Sequence, residues 1–311
     1  MNTIKRLIFL GIFFVLLIPC MSFALVYYLP ENGDSIIGNM RIVQASKGKT
    51  FFQLARHYEM GHLELKNSNP KLPRYSRLRS SKAVVIPSFF ILPNVPKKGI
   101  VINLPELRLY YFPPQHNVVI TEPVALGKLG WSTPLIVTQI IEKIKDPPWV
   151  VPESIMMSYL ERGFYLPPVV PPGPKNPLGK FALRLGSWSV LIHGTIQPHL
   201  IGKRVSSGCI RMYPEDIRHL FHSVTKGTSV RIIDQPYKVG WLGKDLYLEA
   251  HMPFLEARGT AHEELEKVRQ LVLTETYDRS ADIDWHAVVM VLAKHTGLPH
   301  VIGKVKRRGL F

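Results

Sequence analysis

The sequence predicts a mainly β fold, a sandwich or barrel, with a small α+β unit before it and a helical extension after it. Short runs rich in branched and aromatic residues recur through residues 98–237, each bounded by Gly or Pro, as in a domain of many short strands. Residues 41–93 mix strand-like and helix-like patterns, and residues 254–311 show helical spacing of apolar residues. A chain of 311 residues, 46% of them hydrophobic, is long enough for several units with buried cores.

Residues 1–24 have the pattern of a secretory signal peptide. Lys5 and Arg6 precede an apolar run from Leu7 to Pro19, which is short for a membrane span. Ser22-Phe23-Ala24 offers small residues for cleavage after Ala24. We therefore expect export, with an uncleaved membrane anchor as the alternative because residues up to Tyr28 stay apolar.

The 41–93 unit has a βααβ order. Arg41-Ile42-Val43 and Ala83 to Ile86 have the composition of strands. Between them, Thr50 to Tyr58 places apolar residues at helical spacing, and Leu63 to Asn67 predicts a second short helix.

The 98–237 unit is predicted to contain strands, one long loop and one helix. Leu166 to Pro177 carries six prolines, so we expect it to be a loop that lies outside any sheet. A long loop of this kind is expected to cover a site. Pro214 suits the first turn of a helix that ends before Gly227. The predicted strands are Ile100 to Leu104, Leu107 to Phe112, Val118 to Leu126, Ile136 to Lys143, Lys180 to Leu185, Val190 to His193 and Ser229 to Ile233.

The 254–311 segment is predicted to be a two-helix appendage. Thr260 and Glu263 form a capping-box pattern at the start of the first helix, and Gly297 with Pro299 ends the second. The chain then closes on a basic tail, Lys304 to Arg308, which is either solvated or in contact with anionic lipid or wall polymer.

The formal net charge of +16 indicates an attraction to polyanions. For an exported protein these are the anionic polymers of the cell envelope rather than nucleic acid. A merely well-solvated surface is the plainer explanation for much of this charge.

Cys209 is the residue that points most directly to chemistry. If the signal carrying Cys20 is removed, Cys209 has no partner for an intramolecular disulfide. A buried structural thiol is one explanation. The other is a nucleophile, because His193, sixteen positions upstream at the end of a predicted strand, and Arg211 supply a base and a positive charge that lower the pKa of a thiol.

The neighbours of Cys209 suit acyl transfer. Gly208 allows a tight bend and the close approach of a substrate carbonyl, while backbone N–H groups around Cys209 can face a developing oxyanion. Arg211 offers a planar fork for a carboxylate, although a surface ion pair would also explain an arginine there.

Two runs then resemble a known family: Ile192-His193-Gly194-Thr195 and Ser206-Ser207-Gly208-Cys209-Ile210-Arg211-Met212. With Leu107 to Tyr111, Gly127-Lys128-Leu129-Gly130 and Asn176-Pro177-Leu178-Gly179, they resemble the YkuD-type catalytic domain of L,D-transpeptidases. The resemblance implies that Cys209 is the nucleophile, that His193 is the general base and later the acid, and that the Gly194 carbonyl orients the imidazole. Ser207, Gly208 and Arg211 fall at the substrate and oxyanion positions, and Ser207 stands where many relatives have His.

The 41–93 unit resembles a LysM module, a small cell-wall-binding fold, in Gly48-Lys49-Thr50, Asn67-Ser68-Asn69-Pro70 and Val85-Ile86-Pro87. Lys49 departs from the Asp usual in that family. Glycan binding and a structural role both remain open for this unit.

The resemblance implies a periplasmic enzyme that acts on peptidoglycan stem peptides, without a cofactor. It transfers an acyl group from a tetrapeptide stem to an amine, which is a second stem or the lysine of an outer-membrane lipoprotein. The alternatives are an L,D-carboxypeptidase, which transfers to water, and a non-catalytic wall-binding protein. His219 and His222 lie one helical turn apart, but a metal site there lacks a third ligand nearby, so we expect no metal.

Overall fold

The computed structural model describes residues 25–72, 77–186 and 190–306. Strand makes up 34% and helix 23% of the fold, which confirms the mainly β class. Within the described residues, no helix combines the length and the apolarity needed to cross a bilayer. The expected signal, residues 1–24, and the last residues of the basic tail lie outside the described part.

The first unit consists of short strands and two short helices. Its elements are β1 (Leu25–Tyr28), β2 (Ile36–Gly38), β3 (Arg41–Ala45), α1 (Phe51–His57), α2 (His62–Ser68), β4 (Lys82–Ile86) and β5 (Phe89–Ile91). Strand β3 pairs antiparallel with β4, and β2 pairs with β5, so the expected strand–helix–helix–strand order is present. Thr50 caps α1 because its hydroxyl accepts from the Gln53 N–H at 3.1 Å while the Gln53 side chain accepts from the Thr50 N–H at 2.9 Å.

Strand β1 was not predicted, because its residues were taken as the apolar continuation of the signal. It begins directly after the expected cleavage point and pairs antiparallel with residues 118–121 of the central sheet. Its side chains alternate: Leu25 and Tyr27 pack on a core, while Val26 and Tyr28 are 56% and 84% exposed. The apolar character of this segment therefore reflects an edge strand with one buried face.

The second unit is built on a nine-stranded sheet. Its elements are β6 (Gly99–Asn103), β7 (Arg108–Phe112), β8 (Val118–Pro123), β9 (Leu126–Gly127), β10 (Val137–Lys145), β11 (Trp149–Val150), α3 (Glu153–Leu160), β12 (Val169–Val170), β13 (Phe181–Leu185), β14 (Leu191–His193), β15 (Arg204–Ser206), β16 (Ile210–Arg211), α4 (Pro214–Ser223) and β17 (Ser229–Ile233). The order in the sheet is β1-β8-β7-β6-β17-β10-β13-β14-β16, and β15 pairs separately with β9.

The two faces of this sheet belong to different cores. Ile100 and Ile102 of β6 face a core shared with α4, whereas Val101 between them faces a core shared with α1 and α2 of the first unit. Tyr110 of β7 lies on the same side as Val101. The two-residue period of the strands therefore places the first unit on one side of the sheet and α4 on the other.

Two expectations for the second unit were wrong: that the Pro-rich interval stays outside any sheet, and that the unit contains one helix. Val169 and Val170, inside the interval expected to stay outside any sheet, form strand β12 and pair with Trp149 and Val150 of β11. The flanking prolines lack N–H groups, but the two valines between them have theirs and can pair. Between β11 and β12 the chain forms helix α3, whereas the sequence predicted one helix in this unit. None of the side chains of α3 is buried.

The third unit is not a helical appendage. It is a four-stranded antiparallel sheet, ordered β18-β19-β21-β20, covered by two helices. It starts at residue 237, earlier than the expected 254. Its elements are β18 (Tyr237–Leu242), β19 (Asp245–Ala250), α5 (Ala261–Glu275), β20 (Ala281–Ile283), α6 (Trp285–Lys294) and β21 (His300–Val305).

Both predicted helices are present, and the Thr260 capping box is confirmed at the start of α5. Their apolar faces needed a partner, which the strands supply. The overlooked signal was the hairpin of β18 and β19, two strand-like runs separated by Gly243 and Lys244. The buried face of α6 contains Val288, Val291 and Leu292, whereas Trp285 and Val289 are 41% and 47% exposed.

A buried charge cluster, formed by Glu106, Lys238, Glu249 and His251, joins the three units. The Lys238 ammonium binds the Glu106 carboxylate and lies 2.9 Å from Glu249 Oε1. Glu249 accepts from the Ile91 N–H at 2.7 Å, and its other oxygen lies 2.6 Å from His251 Nε2. One cation therefore binds two carboxylates at the place where the first, second and third units meet.

We expect the Lys238→Met variant to lose about 3–5 kcal/mol of unfolding free energy, because it leaves two buried carboxylates without their cation. Urea unfolding followed by circular dichroism measures this loss. The control is Lys304→Met, since Lys304 is 73% exposed and lies 3.8 Å from Asp245, a pair worth at most about 1 kcal/mol. Equal small effects of the two substitutions would contradict a structural role for the cluster.

Candidate active site

His193, Cys209 and Arg211 come together through two short parallel strands. In the pairing of β14 with β16, Ile192 lies opposite Ile210 and His193 lies opposite Arg211. Cys209 directly precedes β16 and has a hydrogen bond with the Leu191 backbone at the start of β14, and the charge of Arg211 acts on both Cys209 and His193. The loop between the strands brings the sixteen-residue interval back to one sheet edge.

His193 is almost completely buried, at 3% exposure, and its ring is held by the backbone. Its Nδ1 lies 2.6 Å from the carbonyl oxygen of Gly194, which can only accept, so the neutral ring carries its proton on Nδ1 and keeps a lone pair on Nε2. Burial and then the charge of Arg211 lower the pKa of His193 to about 4, against the opposing effect of the Gly194 and Leu178 carbonyls. The imidazole is therefore neutral near pH 7 and able to accept a proton.

Cys209 differs from the expectation of a thiol with a lowered pKa. Burial raises the pKa of the Cys209 thiol, and this effect outweighs the hydrogen bond with the Leu191 backbone and the charge of Arg211, which both lower it. Desolvation thus disfavours the thiolate and the imidazolium alike. Near pH 7 the Cys209 thiol and the His193 imidazole are therefore both neutral.

Gly208 adopts the backbone conformation that was expected of it. Its φ is +102°, a region that favours glycine, while a Cβ there would meet nothing closer than 3.7 Å. The requirement for glycine is therefore one of conformation rather than space. Ser207 beside it is exposed, and the Ser206 hydroxyl donates to the Cys209 carbonyl at 2.5 Å.

The Cys209 loop rests on what we call the Gly127 turn, residues 127–133. The hydroxyl of Thr133 accepts from the Gly127 N–H at 3.0 Å and donates to the Gly208 carbonyl at 2.9 Å. The Lys128 N–H donates to the Ser206 carbonyl at 2.9 Å. These bonds fix the backbone on both sides of Ser207.

Arg211 is half-buried and, within the described residues, forms no ion pair with an acid. Its Nε is buried without a hydrogen-bond partner. Burial lowers the pKa of Arg211, while Cys209 and Tyr159 of α3 raise it. A partly desolvated guanidinium with an unsatisfied N–H is able to bind a carboxylate of a ligand.

The lid segment, residues 147–178, lies beside these groups. Asn176 is fully buried, and its amide donates to the Pro147 carbonyl at 2.9 Å and to the Val170 carbonyl at 3.2 Å. Its Oδ1 accepts from the Leu178 N–H at 2.9 Å. Asn176 thus closes the base of the segment, and Tyr159 brings α3 near Arg211.

The histidines considered for a metal site have other surroundings. His222 packs against the rings of Phe181 and Phe221, with centroids 5.8 and 5.5 Å away. Among the described residues, the buried charge cluster is where carboxylates and a histidine lie close enough for a metal, and Lys238 already binds both carboxylates there.

Sequence reasoning missed the roles of Thr133, Leu178 and Tyr159 in this geometry. Thr133 lies three positions after the Gly127-Lys128-Leu129-Gly130 run, and its hydroxyl bonds to the Gly208 carbonyl 75 positions away. Nothing in residue spacing indicates such a bond. Tyr159 lies on a helix that was not predicted.

Comparisons with known proteins agree on one family. A family model described as the L,D-transpeptidase catalytic domain, YkuD, matches residues 97–232. The chain is 35% identical over 295 residues to the probable L,D-transpeptidase ErfK/SrfK of Salmonella typhimurium, covering 92% of this chain and 94% of that protein. It is 40% identical over 234 residues to the probable L,D-transpeptidase YcfS of Escherichia coli, with 73% of each chain covered. Among solved structures, the catalytic domain of the E. faecium L,D-transpeptidase matches at 22% identity and a TM-score of 0.35, covering 45% of this chain and 100% of that one.

The neutral pair predicts how Cys209 responds to pH. We expect alkylation by iodoacetamide to be slow at pH 7 and to rise still beyond pH 9, because the thiolate appears only above a raised pKa. The ¹⁵N shifts of His193 should show a neutral ring, protonated on Nδ1, until the pH falls toward about 4. A peptide containing one cysteine is the control for alkylation. A rate that is already constant between pH 6 and 8 would instead indicate a preformed thiolate–imidazolium pair.

Proposed function

The chain belongs to the YkuD family of L,D-transpeptidases, and from that premise we propose that it remodels peptidoglycan by acyl transfer, with Cys209 as the nucleophile and His193 as the base. The observation that supports this assignment is the β14–β16 register, in which His193 lies opposite Arg211 while Cys209 directly precedes β16 at the same sheet edge. The Nδ1–H bond to Gly194 supports it because that bond leaves Nε2 as the proton acceptor.

The first half of the reaction forms an acyl-enzyme. The Cys209 thiol gives its proton to His193 as Sγ bonds to the carbonyl carbon of the third stem residue, where that residue joins the terminal D-alanine. Collapse of the tetrahedral intermediate breaks the C–N bond, and His193 returns the proton to the leaving amine of D-alanine. A thioester remains on Cys209. General acid–base help of this kind is worth about 10² to 10⁴ in rate.

The second half transfers the acyl group to an acceptor amine. His193 takes a proton from the amine as it attacks the thioester, the C–S bond breaks, and Sγ regains the proton. The neutral resting state supports this cycle, because each half begins and ends with a thiol and an imidazole without charge. The lid segment supports exclusion of water, so that an amine rather than hydroxide resolves the thioester.

The acceptor is either a second stem, giving a 3-3 cross-link, or the lysine of an outer-membrane lipoprotein. Transfer to water would make the protein an L,D-carboxypeptidase that uses the same residues. We infer that amine transfer is the main reaction, since the relatives that match most of the chain are named as transpeptidases.

We further infer a periplasmic location, with residues 1–24 as the export signal and residues 41–93 as a LysM-like unit that binds wall glycan. The support for the unit is its element order and its capped first helix. A wall-binding protein without catalysis would keep its biological effect when Cys209 is replaced by Ala, which separates that alternative from the enzyme.

We expect the purified protein to gain one covalent carbapenem adduct, and the Cys209→Ala variant to gain none, because the β-lactam carbonyl acylates the same sulfur. Intact-mass spectrometry measures the adduct. His193→Ala should form the adduct about 10²- to 10⁴-fold more slowly, since it keeps the thiol but lacks its base. Absence of an adduct on the folded parent protein would count against the proposal.

The acceptor is decided with the same proteins and a disaccharide-tetrapeptide substrate. Cross-linked dimer with released D-alanine supports the transpeptidase, whereas free tripeptide alone supports the carboxypeptidase. A muropeptide profile of cells with and without the protein gives the same distinction in the wall.

Arg211 provides a separate test of substrate binding. We expect Arg211→Lys to raise KM about 10-fold and to change kcat less, because an ammonium keeps the charge but lacks the planar fork for a carboxylate. Arg211→Gln should additionally raise the pKa of His193, since the charge of Arg211 lowers it, and so move the acid limb of the pH profile upward. Steady-state kinetics between pH 4 and 8 measure both effects. Unchanged KM in both variants would exclude Arg211 from substrate binding.

A further inference from the structure

Arg204 joins the strand before Cys209 to the third unit. It lies in β15, and its guanidinium forms a two-point ion pair with Glu256, with Nη1 donating to Oε2 at 3.0 Å and Nη2 donating to Oε1 at 2.5 Å. Its Cζ also lies 3.9 Å from the centroid of the Phe254 ring. The segment that follows β19 therefore holds this arginine through both charge and stacking.

The same arginine grips the Gly127 turn. Its Nε donates to the Gly127 carbonyl at 2.8 Å, and Nη2 lies 3.4 Å from the Ser132 hydroxyl. That hydroxyl donates to Glu256 Oε1 at 3.1 Å. Glu256 therefore contacts the turn twice, once directly and once through Arg204.

The Gly127 turn carries this restraint to the nucleophile. Thr133 links the Gly127 N–H to the Gly208 carbonyl. Because a peptide unit is planar, fixing the Gly208 carbonyl fixes the orientation of the peptide that leads into Cys209, and with it the Cα from which Sγ projects. Displacement of reacting atoms by about 1 Å can lower a rate about 100-fold.

We propose that Glu256 is a positioning residue for acyl transfer, which acts through Arg204 and Ser132 on the Gly127 turn and so holds Cys209 in its reactive place. The proposal rests on the assignment of Cys209 as the nucleophile. It gives the third unit a part in the reaction, although Glu256 touches no substrate.

An ordinary surface ion pair is the plainer explanation of these contacts, and such pairs contribute little. The Arg204–Glu256 pair differs in two ways. The Arg204 side chain is only 16% exposed and that of Glu256 34%, and the pair is bidentate rather than a single contact. Both partners also bind the Gly127 turn, so the pair connects two units instead of lying on one.

The experiment measures kcat and KM for D-alanine release by the full chain and its variants. We expect Glu256→Ala to lower kcat about 10- to 100-fold and to leave KM within about twofold, since the defect lies in the placement of Sγ and not in binding. Alkylation of the Cys209 thiolate by iodoacetamide at pH 10.5 should be unchanged, because that reaction needs neither His193 nor a fixed sulfur position. In an Arg204→Ala background, Glu256→Ala should lower kcat by a smaller factor than it does in the parent protein, because only the direct contact of Glu256 with Ser132 is then left to lose.

The control is Glu266→Ala, which removes a carboxylate paired at 3.0 Å with Arg269 on α5 and should leave kcat unchanged. A parental kcat in Glu256→Ala, or a loss of kcat that matches a loss of folded protein by circular dichroism, would overturn the proposal. Cys209→Ala separates this failure from a failure of the proposed function: if Cys209→Ala is inactive and Glu256→Ala is fully active, only the positioning role is wrong.

Discussion

The site depends on the parallel pairing of β14 with β16, two strands of three and two residues. Parallel neighbours need a crossover connection, and here the crossover is the loop that carries Gly208 and the approach to Cys209. The pairing alone does not fix so short a strand. The Arg211 N–H and carbonyl also exchange bonds of 2.8 Å with Ala125, and the Met212 N–H donates to the His193 carbonyl at 2.9 Å. Backbone bonds therefore hold the two residues of β16 on both sides of the strand.

Desolvation then decides the protonation of the pair. A histidine and a thiol in water form a thiolate–imidazolium ion pair more readily than His193 and Cys209 do. Burial of these two groups disfavours both charges. A neutral thiol is a weaker nucleophile at rest and also a poorer target for oxidation, which follows thiolate character. The described part of the chain contains one cysteine, and this property makes its resting sulfur less prone to oxidation. Arg211 favours a thiolate and disfavours an imidazolium, so a carboxylate bound to it would change both preferences during the reaction.

Much of the fold could be predicted from the sequence, and the failures have physical causes; the roles of Cys209 and His193 stay predictions. Seven strands of the second unit, the seven that were predicted, follow the local pattern of branched and aromatic residues bounded by Gly or Pro. Strands β11, β12, β15 and β16 were missed, because runs of two or three residues are too short to show such a pattern. Strand β1 failed because an edge strand with one apolar face resembles the end of an apolar leader. The sheet of the third unit was missed because the apolar face of a helix can be recognised in a sequence, while the sheet that buries that face cannot. The direction of the pKa shift of Cys209 was predicted wrongly for a similar reason. Neighbouring charges can be inferred from a motif, but desolvation depends on packing from distant segments. The Thr133 bond to Gly208 joins residues with no local pattern between them.

Two of the contacts that attach the third unit to the others differ in character, and the difference explains how Glu256 reaches the loop before Cys209. The buried charge cluster is deep, and its ions lose their hydration on assembly. Its contribution to net stability is therefore small, while its bonds require one arrangement of the partners. Lys238 binds Glu106 of the second unit while Glu249 accepts from Ile91 of the first, which leaves the hairpin of β18 and β19 a single orientation. The chain leaves β19 at Ala250 and reaches Phe254 and Glu256 within six residues. The buried charges orient the hairpin of β18 and β19, and the segment after it places the partly exposed Glu256 carboxylate beside Arg204. The geometry of the Arg204–Glu256 pair therefore follows from that of the buried cluster.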